Sequence, residues 1–147
     1  MTRQLEIKVN TPVCTGCHIC EMVCSLYHED AVNLNKARIR ISDRWDESLF
    51  EPHICQLCES PDCVPACPTS ALTQDSRGII HVDEGLCNGC EACVIACSYG
   101  AIRWDDEFER LFVCDRCDGD PNCVKSCTVT ALEMLNLQPV KVYKAAS

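Results

Sequence analysis

Sixteen cysteines are the residues of this chain whose type and spacing point most directly to chemistry. They occur among only 147 residues. Cysteine content this high is typical of a disulfide scaffold, a zinc protein or an iron–sulfur protein. The cysteines fall into four groups of four with none left over, so the spacing within each group is the next clue.

The four groups differ only in the length of their central gap. In chain order they are Cys14, Cys17, Cys20 and Cys24; Cys55, Cys58, Cys63 and Cys67; Cys87, Cys90, Cys93 and Cys97; and Cys114, Cys117, Cys123 and Cys127. The first and third groups read C-x2-C-x2-C-x3-C, the bacterial run for [4Fe–4S] clusters, with Ser25 and Ser98 at the position where proline is usual. The second group has a central gap of four residues and keeps Pro68, and the fourth has a gap of five.

The spacing suits a cubane cluster, which needs four thiolates. Two-residue gaps let a tight loop present three sulfurs around one cluster, and its backbone N–H groups can stabilise the cluster's negative charge. The final three-residue gap is about one helical turn, which carries the last cysteine away from its own loop. In two-cluster ferredoxins that cysteine ligates the other cluster. The sequence therefore predicts four [4Fe–4S] clusters in two exchanging pairs.

The competing interpretations fit the sequence less well. Structural zinc uses two C-x2-C pairs separated by a long spacer, and these groups would oversupply it. No secretory signal is visible in the first eight residues, so we expect a cytoplasmic location, where thiols stay reduced and disulfides are disfavoured. The net charge of −9 argues against a nucleic-acid partner. No apolar stretch is long enough to predict a membrane span.

No catalytic motif stands out, so we expect an electron-transfer protein rather than an enzyme. Sixteen thiolates would satisfy four clusters, and the histidines are therefore expected around the clusters or at the surface. These are His18, His28, His53 and His81. The basic Arg116 and Lys125 lie close to cysteines and could raise a cluster's potential, although solvation or pairing with neighbouring aspartates is the commoner role.

An internal repeat predicts the elements around the cysteines. The pairs Ala71-Leu72, Ala101-Ile102 and Ala131-Leu132 follow the last three groups at a spacing of 30 residues. Each starts a strand after a short helical turn, and the first two lead into hairpins. The first group breaks the pattern: the insertion over 25–54 contains a half-exposed strand over 37–41. This insertion is expected either to form a partner-specific surface or to cover one cluster.

The order of the groups resembles the four-cluster polyferredoxin subunits of molybdenum and tungsten oxidoreductases, the dimethyl sulfoxide reductase iron–sulfur subunit family. The resemblance implies an α+β fold of tandem bacterial-ferredoxin-like units, with an inner dicluster module over about 52–113. The outer module would combine about 10–51 with 114–135, and 136–147 would form a C-terminal tail. The implied ligand sets are Cys14, Cys17, Cys20 and Cys127; Cys114, Cys117, Cys123 and Cys24; Cys55, Cys58, Cys63 and Cys97; and Cys87, Cys90, Cys93 and Cys67.

A local match narrows the resemblance further. The segments over 17–29 and 37–41 are similar to the small ferredoxin-like subunits of tungsten aldehyde oxidoreductase complexes. The implied partners are a tungsten- or molybdenum-pterin catalytic subunit and a flavin subunit that reduces NAD, and assembly through the chain's own surface is a further expectation. Alternatives are a free polyferredoxin, a subunit of a formate dehydrogenase, hydrogenase or benzoyl-CoA reductase complex, or a scaffold in which clusters only hold the fold together.

Overall fold

Short helices and two-stranded sheets alternate along the chain in a computed structural model that describes residues 5–47 and 49–135. The helices are α1 (Ile19–Glu29), α2 (Cys63–Ala66), α3 (Ala92–Ala96) and α4 (Asn122–Ser126). The strands are β1 (Ile7–Val9), β2 (Arg40–Arg44), β3 (Leu49–His53), β4 (Leu72–Gln74), β5 (Ile80–Val82), β6 (Arg103–Asp105), β7 (Arg110–Phe112) and β8 (Leu132–Met134). The predicted α+β mixture is confirmed, and the predicted tail over 136–147 lies outside the described residues.

The two predicted hairpins are confirmed, and an aspartate closes each of them. β4 pairs antiparallel with β5, and β6 with β7. The Asp75 carboxylate accepts hydrogen bonds from the backbone N–H groups of Arg77 and Ile79 at 2.9 Å. Asp105 does the same for Glu107 and Phe108 at 3.0 and 3.2 Å. The repeat therefore extends into the turns, where a carboxylate satisfies the free N–H groups.

The third copy of the repeat pairs differently from the first two. Its strand β8 is antiparallel to β1 near the N-terminus, with Ile7 opposite Met134 and Val9 opposite Leu132. Ile7 and Leu132 are buried, whereas Lys8 faces Glu133 across the pair. Strand β1 thus provides the partner for β8, the strand that follows the last cysteine group.

The helices pack in two pairs. Helix α1 contacts α4, and α2 contacts α3. Their buried faces and the inner residues of the hairpins form one continuous core, in which buried cysteines stand beside aliphatic residues. The helices within the last three groups have only four or five residues, whereas α1 runs for eleven residues and is followed by Asp30 in a left-handed conformation.

The insertion after the first group forms a hairpin, which the sequence indicated only in part. The expected strand over 37–41 begins at Arg40 and pairs with β3 along five residues. The buried carboxylate of Glu21 accepts the Ile41 N–H at 3.0 Å and thereby fixes the hairpin against α1. Trp45 at the hairpin tip is 87% exposed. One face of the insertion thus covers the core while its tip reaches solvent.

Candidate metal centres

Cysteines from the two ends of the chain meet at one cavity. Cys14, Cys17 and Cys20 line it together with Cys127, the last cysteine of the fourth group. Ile41 and Pro52 of the insertion hairpin close the cavity on another side. The contact between α1 and α4 carries Cys127 to this position, away from the loop of its own group.

The last cysteine of the first group lies with the fourth loop. Cys24, Cys114, Cys117 and Cys123 are all buried. Burial raises the pKa of the Cys123 thiol, and charge on Cys114 or Cys24 raises it further. Cys24 similarly adds to the burial that raises the pKa of Cys117. These effects, together with the contact between α1 and α4, place Cys24 among the cysteines of the fourth loop.

The second and third loops show the same relation. Burial raises the pKa of Cys63 to about 11, and the thiols of Cys55 and Cys97 contribute to the rise. Cys97 belongs by sequence to the third group. Burial likewise raises the pKa of Cys93, with a contribution from Cys67 of the second group.

The residue before the second cysteine has a left-handed backbone conformation in all four loops. The residue before the second cysteine has φ of 65° at Gly16, 50° at Leu57, 70° at Gly89 and 60° at Arg116. Glycine adopts this conformation without strain, whereas an L side chain costs about 1–2 kcal/mol. Leu57 and Arg116 are both fully buried, so packing compensates for the strain that glycine avoids elsewhere.

Aromatic rings fill the space over the two loop glycines. A side chain at Gly16 would collide with the ring of Phe50 from β3. A Cβ at Gly89 would lie 2.8 Å from the Trp104 ring of β6. The first and third loops are therefore each covered by an aromatic side chain from the following hairpin, and Trp104 also packs against the core.

The last cysteine of each group accepts a backbone hydrogen bond. The N–H groups of Ala71, Ala101 and Ala131 donate to the sulfurs four residues earlier at 3.3, 3.4 and 3.2 Å. A left-handed residue precedes each alanine and directs its N–H toward the sulfur. All three alanines are buried, so the repeat has a small side chain in the core at each of these positions. Such N–H···S bonds stabilise a thiolate ligand and tune a cluster's potential.

Two histidines contact acidic side chains beside the cysteines. His18 contacts the buried carboxylate of Glu21. The Nε2 of His28 hydrogen-bonds the Asp115 carboxylate at 2.9 Å. Burial alone would lower the pKa of His28, but its hydrogen bonds to Asp115 and Cys24 outweigh that effect and raise the pKa to about 9. Arg38 donates to the other oxygen of Asp115 at 2.9 Å. This network joins α1 and the insertion to the fourth loop, and sequence spacing alone gives no sign of it.

The expectation that Arg116 is solvated or paired with a neighbouring aspartate is wrong. Its side chain is fully buried, because its Nε donates to the Leu5 carbonyl at 2.8 Å and its Nη2 to the Cys55 carbonyl at 2.5 Å. Lys125 does pair at the surface, with Asp120 at 2.7 Å.

The thiol environments fit a cluster rather than free cysteine. Burial raises the pKa of Cys20 to about 12 and that of Cys114 to about 12, so both would be protonated at neutral pH without a metal. Iron ligation requires the thiolate and offsets that cost. Several thiols converging on one cavity, with N–H donors beside them, form the donor set that [4Fe–4S] clusters use.

Comparison with known proteins agrees with this chemistry. Residues 46–137 match the family model described as a 4Fe-4S dicluster domain. The chain belongs to this family. It is 38% identical to the aliphatic sulfonate oxidoreductase polyferredoxin-like subunit of Pyrococcus furiosus, over 84% of this chain and 72% of the relative. It is 31% identical to the B subunit of anaerobic dimethyl sulfoxide reductase from Escherichia coli, over 90% of this chain and 74% of the relative.

A solved structure of a benzoyl coenzyme A reductase BamBC complex also aligns, with 23% identity over 86% of this chain and 76% of that chain and a TM-score of 0.49. Family membership and the two relatives identify the chain as an iron–sulfur electron-transfer subunit of the kind found in oxidoreductase complexes, and not as a catalytic subunit.

Among the residues that the structure describes, no helix has the length and apolar character needed to cross a bilayer.

Proposed function

We propose that the chain carries four [4Fe–4S] clusters as an electron wire between a catalytic subunit and an electron acceptor. The ligand sets would be Cys14, Cys17, Cys20 and Cys127; Cys114, Cys117, Cys123 and Cys24; Cys55, Cys58, Cys63 and Cys97; and Cys87, Cys90, Cys93 and Cys67. The proximity of each last cysteine to a loop other than its own supports these sets. When bound, the clusters supply reversible one-electron transfer.

The proximity of neighbouring sets supports one linear order. Cys20 of the first loop contributes to the raised pKa of Cys123, after burial and nearer thiols. Cys55 likewise adds to the effect of burial on Cys114. The order therefore runs from the first loop to the fourth, then to the second and finally to the third. The contact between α1 and α4 supports an outer dicluster module of about 10–51 with 114–135, and the contact between α2 and α3 supports an inner module over about 52–113.

Cysteine exposure carries the proposal that electrons enter at one end of this order and leave at the other. Only Cys17 and Cys90 are exposed among the sixteen. They belong to the first and last sets, whereas every cysteine of the fourth-loop set is buried. A partner could approach either terminal set closely, while the fourth-loop set is insulated from solvent and the second-loop set has no exposed cysteine.

We propose that the catalytic partner is a tungsten- or molybdenum-pterin subunit and that the acceptor is a flavin subunit that reduces NAD, in the cytoplasm. The sequence similarity to oxidoreductase subunits supports a partner of this class. The resemblance of 17–29 and 37–41 to tungsten aldehyde oxidoreductase subunits favours tungsten over molybdenum. The acidic charge of the chain, −9 before any cluster is added, favours basic docking surfaces on both partners.

Anaerobic affinity purification with metal analysis tests the proposal. We expect tungsten or molybdenum to co-elute in fixed ratio to the chain at moderate salt, and reversible reduction of the chain's clusters by the co-purified subunit's substrate. A chain that retains its iron but elutes without a partner would favour a free polyferredoxin. Clusters that cannot be reduced and reoxidised reversibly would favour the scaffold interpretation.

A further inference from the structure

The guanidinium of Arg116 is a buried charge without an acidic partner. Arg116 is the largest fully buried side chain of the described residues. The ion pairs formed within 5–47 and 49–135 do not include it: its neighbour Asp115 pairs with His28 and Arg38, and Asp118 pairs with Arg77. Arginine remains charged in proteins, and an uncompensated buried charge is costly. Negative charge must therefore be supplied by something other than a carboxylate.

The Arg116 charge contacts cysteines from two of the proposed ligand sets, one through its sulfur and the other through its backbone carbonyl. Its Nη1 faces the Cys114 Sγ at 3.8 Å, and its Nη2 bonds the Cys55 carbonyl at 2.5 Å. The backbone N–H of Arg116 also donates to the Cys114 Sγ, at 3.4 Å. Arg116 thus places its positive charge between the first cysteine of the fourth loop and the first cysteine of the second loop.

We propose that Arg116 balances the charge of the two middle clusters and raises the reduction potentials of both relative to the outer two. The inference rests on the four ligand sets proposed above. A reduced cluster carries one more negative charge than an oxidised one, so a nearby buried cation favours reduction. The effect is strong at this position because the protein interior screens charges weakly.

The planar guanidinium of Arg116 suits a position between the two middle clusters, because its nitrogens can donate in different directions. One nitrogen satisfies the Leu5 carbonyl and another the Cys55 carbonyl, so the charge is held in place by both chain segments. A lysine has no such planar fork and would retain the charge without these paired contacts. Arg116 is therefore a tuning and positioning residue whose charge and hydrogen bonds can be separated by mutation.

Potentiometric titration of the anaerobically purified full chain, followed by electron paramagnetic resonance, tests the proposal. The variants are Arg116→Gln, which removes the charge, and Arg116→Lys, which keeps it. Lys125→Gln is the matched control, since it removes a cation from the same group of cysteines, but one that is 51% exposed and paired with Asp120. We expect Arg116→Gln to lower two of the four midpoint potentials. We expect Arg116→Lys and Lys125→Gln to leave all four near their original values.

Several results would overturn the proposal. These are, in Arg116→Gln, four potentials that all move together or four that all stay in place, or a response to Lys125→Gln equal to that of Arg116→Gln. If Arg116→Gln fails to retain its iron, Arg116→Lys decides: unchanged potentials support a charge effect, and lowered potentials assign it to the guanidinium hydrogen bonds. Iron loss from both variants would make Arg116 a structural clamp only. The wild-type titration tests the four-cluster assignment separately, because fewer than four reducible centres would contradict it before any variant is compared.

Discussion

The backbone N–H of Arg38 donates to the Sγ of Cys24 at 3.2 Å, although fourteen positions separate them in the chain. After the other three groups the donor is the alanine four residues on, as with Ala71 and Cys67. Helix α1 continues beyond Cys24, so that nearby donor is not free, and the insertion returns Ala37 and Arg38 to the same place. The insertion therefore completes the hydrogen bonding of the first group.

Replacing Cys97 tests the exchange of ligands between loops. Because Cys97 lies beside Cys55 and Cys63, we expect Cys97→Ser to remove the same spectroscopic signal as Cys63→Ser. Cys90→Ser is the control, since it should remove a different signal, that of the third loop. Anaerobic iron analysis and electron paramagnetic resonance of the three variants provide the comparison. Matching losses in Cys97→Ser and Cys90→Ser would contradict the exchanged sets.

Alanine substitutions at Gly16 and Gly100 distinguish the cost of backbone strain from the cost of a steric collision. Both have positive φ, 65° and 60°, so alanine at either position costs about 1–2 kcal/mol of strain. At Gly16 the new Cβ also collides with the Phe50 ring, whereas at Gly100 it lies 3.3 Å from the His53 Nδ1. Overpacking adds about 1–3 kcal/mol, so Gly16→Ala should lower the apparent melting temperature of the loaded protein more than Gly100→Ala.

The control for this pair is the double variant Gly16→Ala/Phe50→Ala. Removing the ring should restore part of the melting temperature lost by Gly16→Ala, because neighbouring substitutions in contact are not additive. Equal losses at Gly16 and Gly100, with no recovery in the double variant, would show that Phe50 does not limit the first loop.

Two arginines that bind aspartates of the fourth loop differ in burial. Arg38 pairs with Asp115 at 2.9 Å with 19% of its side chain exposed, and Arg77 pairs with Asp118 at 2.9 Å with 46% exposed. Exposed pairs contribute about 0–1 kcal/mol, whereas charge-assisted bonds away from solvent contribute about 1.5–3 kcal/mol. Arg38→Gln should therefore accelerate cluster loss in denaturant clearly more than Arg77→Gln. Similar rates would mean that the network around Asp115 adds no more than a surface ion pair.

Removing the clusters should unfold the chain. Cysteines form much of the buried core, and burial raises the pKa of several thiols that iron would hold as thiolates. Metal binding is coupled to folding in such domains. We expect oxidation and chelation to abolish most far-ultraviolet circular dichroism in step with iron loss. Retention of native circular dichroism after complete iron loss would contradict this coupling.

The sequence predicted what depends on local spacing. The thirty-residue repeat located β4–β5 and β6–β7 because each hairpin follows its cysteines directly. It did not predict the pairing of β1 with β8, which joins distant segments. The role of Arg38 was missed for the same reason, since its donor position is set by the return of the insertion. No local pattern marks either contact.

Arg116 shows how a local expectation fails in three dimensions. Aspartates on both sides of it in the sequence suggest a surface ion pair. The left-handed backbone at this position, φ 60°, instead turns the side chain inward, where Leu5 and Cys55 provide carbonyls from distant segments. Its direction depends on loop conformation, which residue types alone do not reveal when the residue is not glycine.

The iron and acid-labile sulfide content of the anaerobically purified, fully folded chain tests the central claim most directly. Four complete ligand sets predict about sixteen iron atoms and about sixteen sulfides per chain. Agreement of both numbers would support four [4Fe–4S] clusters and the wire proposed from them. A reproducible content of about eight of each, in a preparation that no longer takes up iron on reconstitution, would mean two clusters and contradict the account.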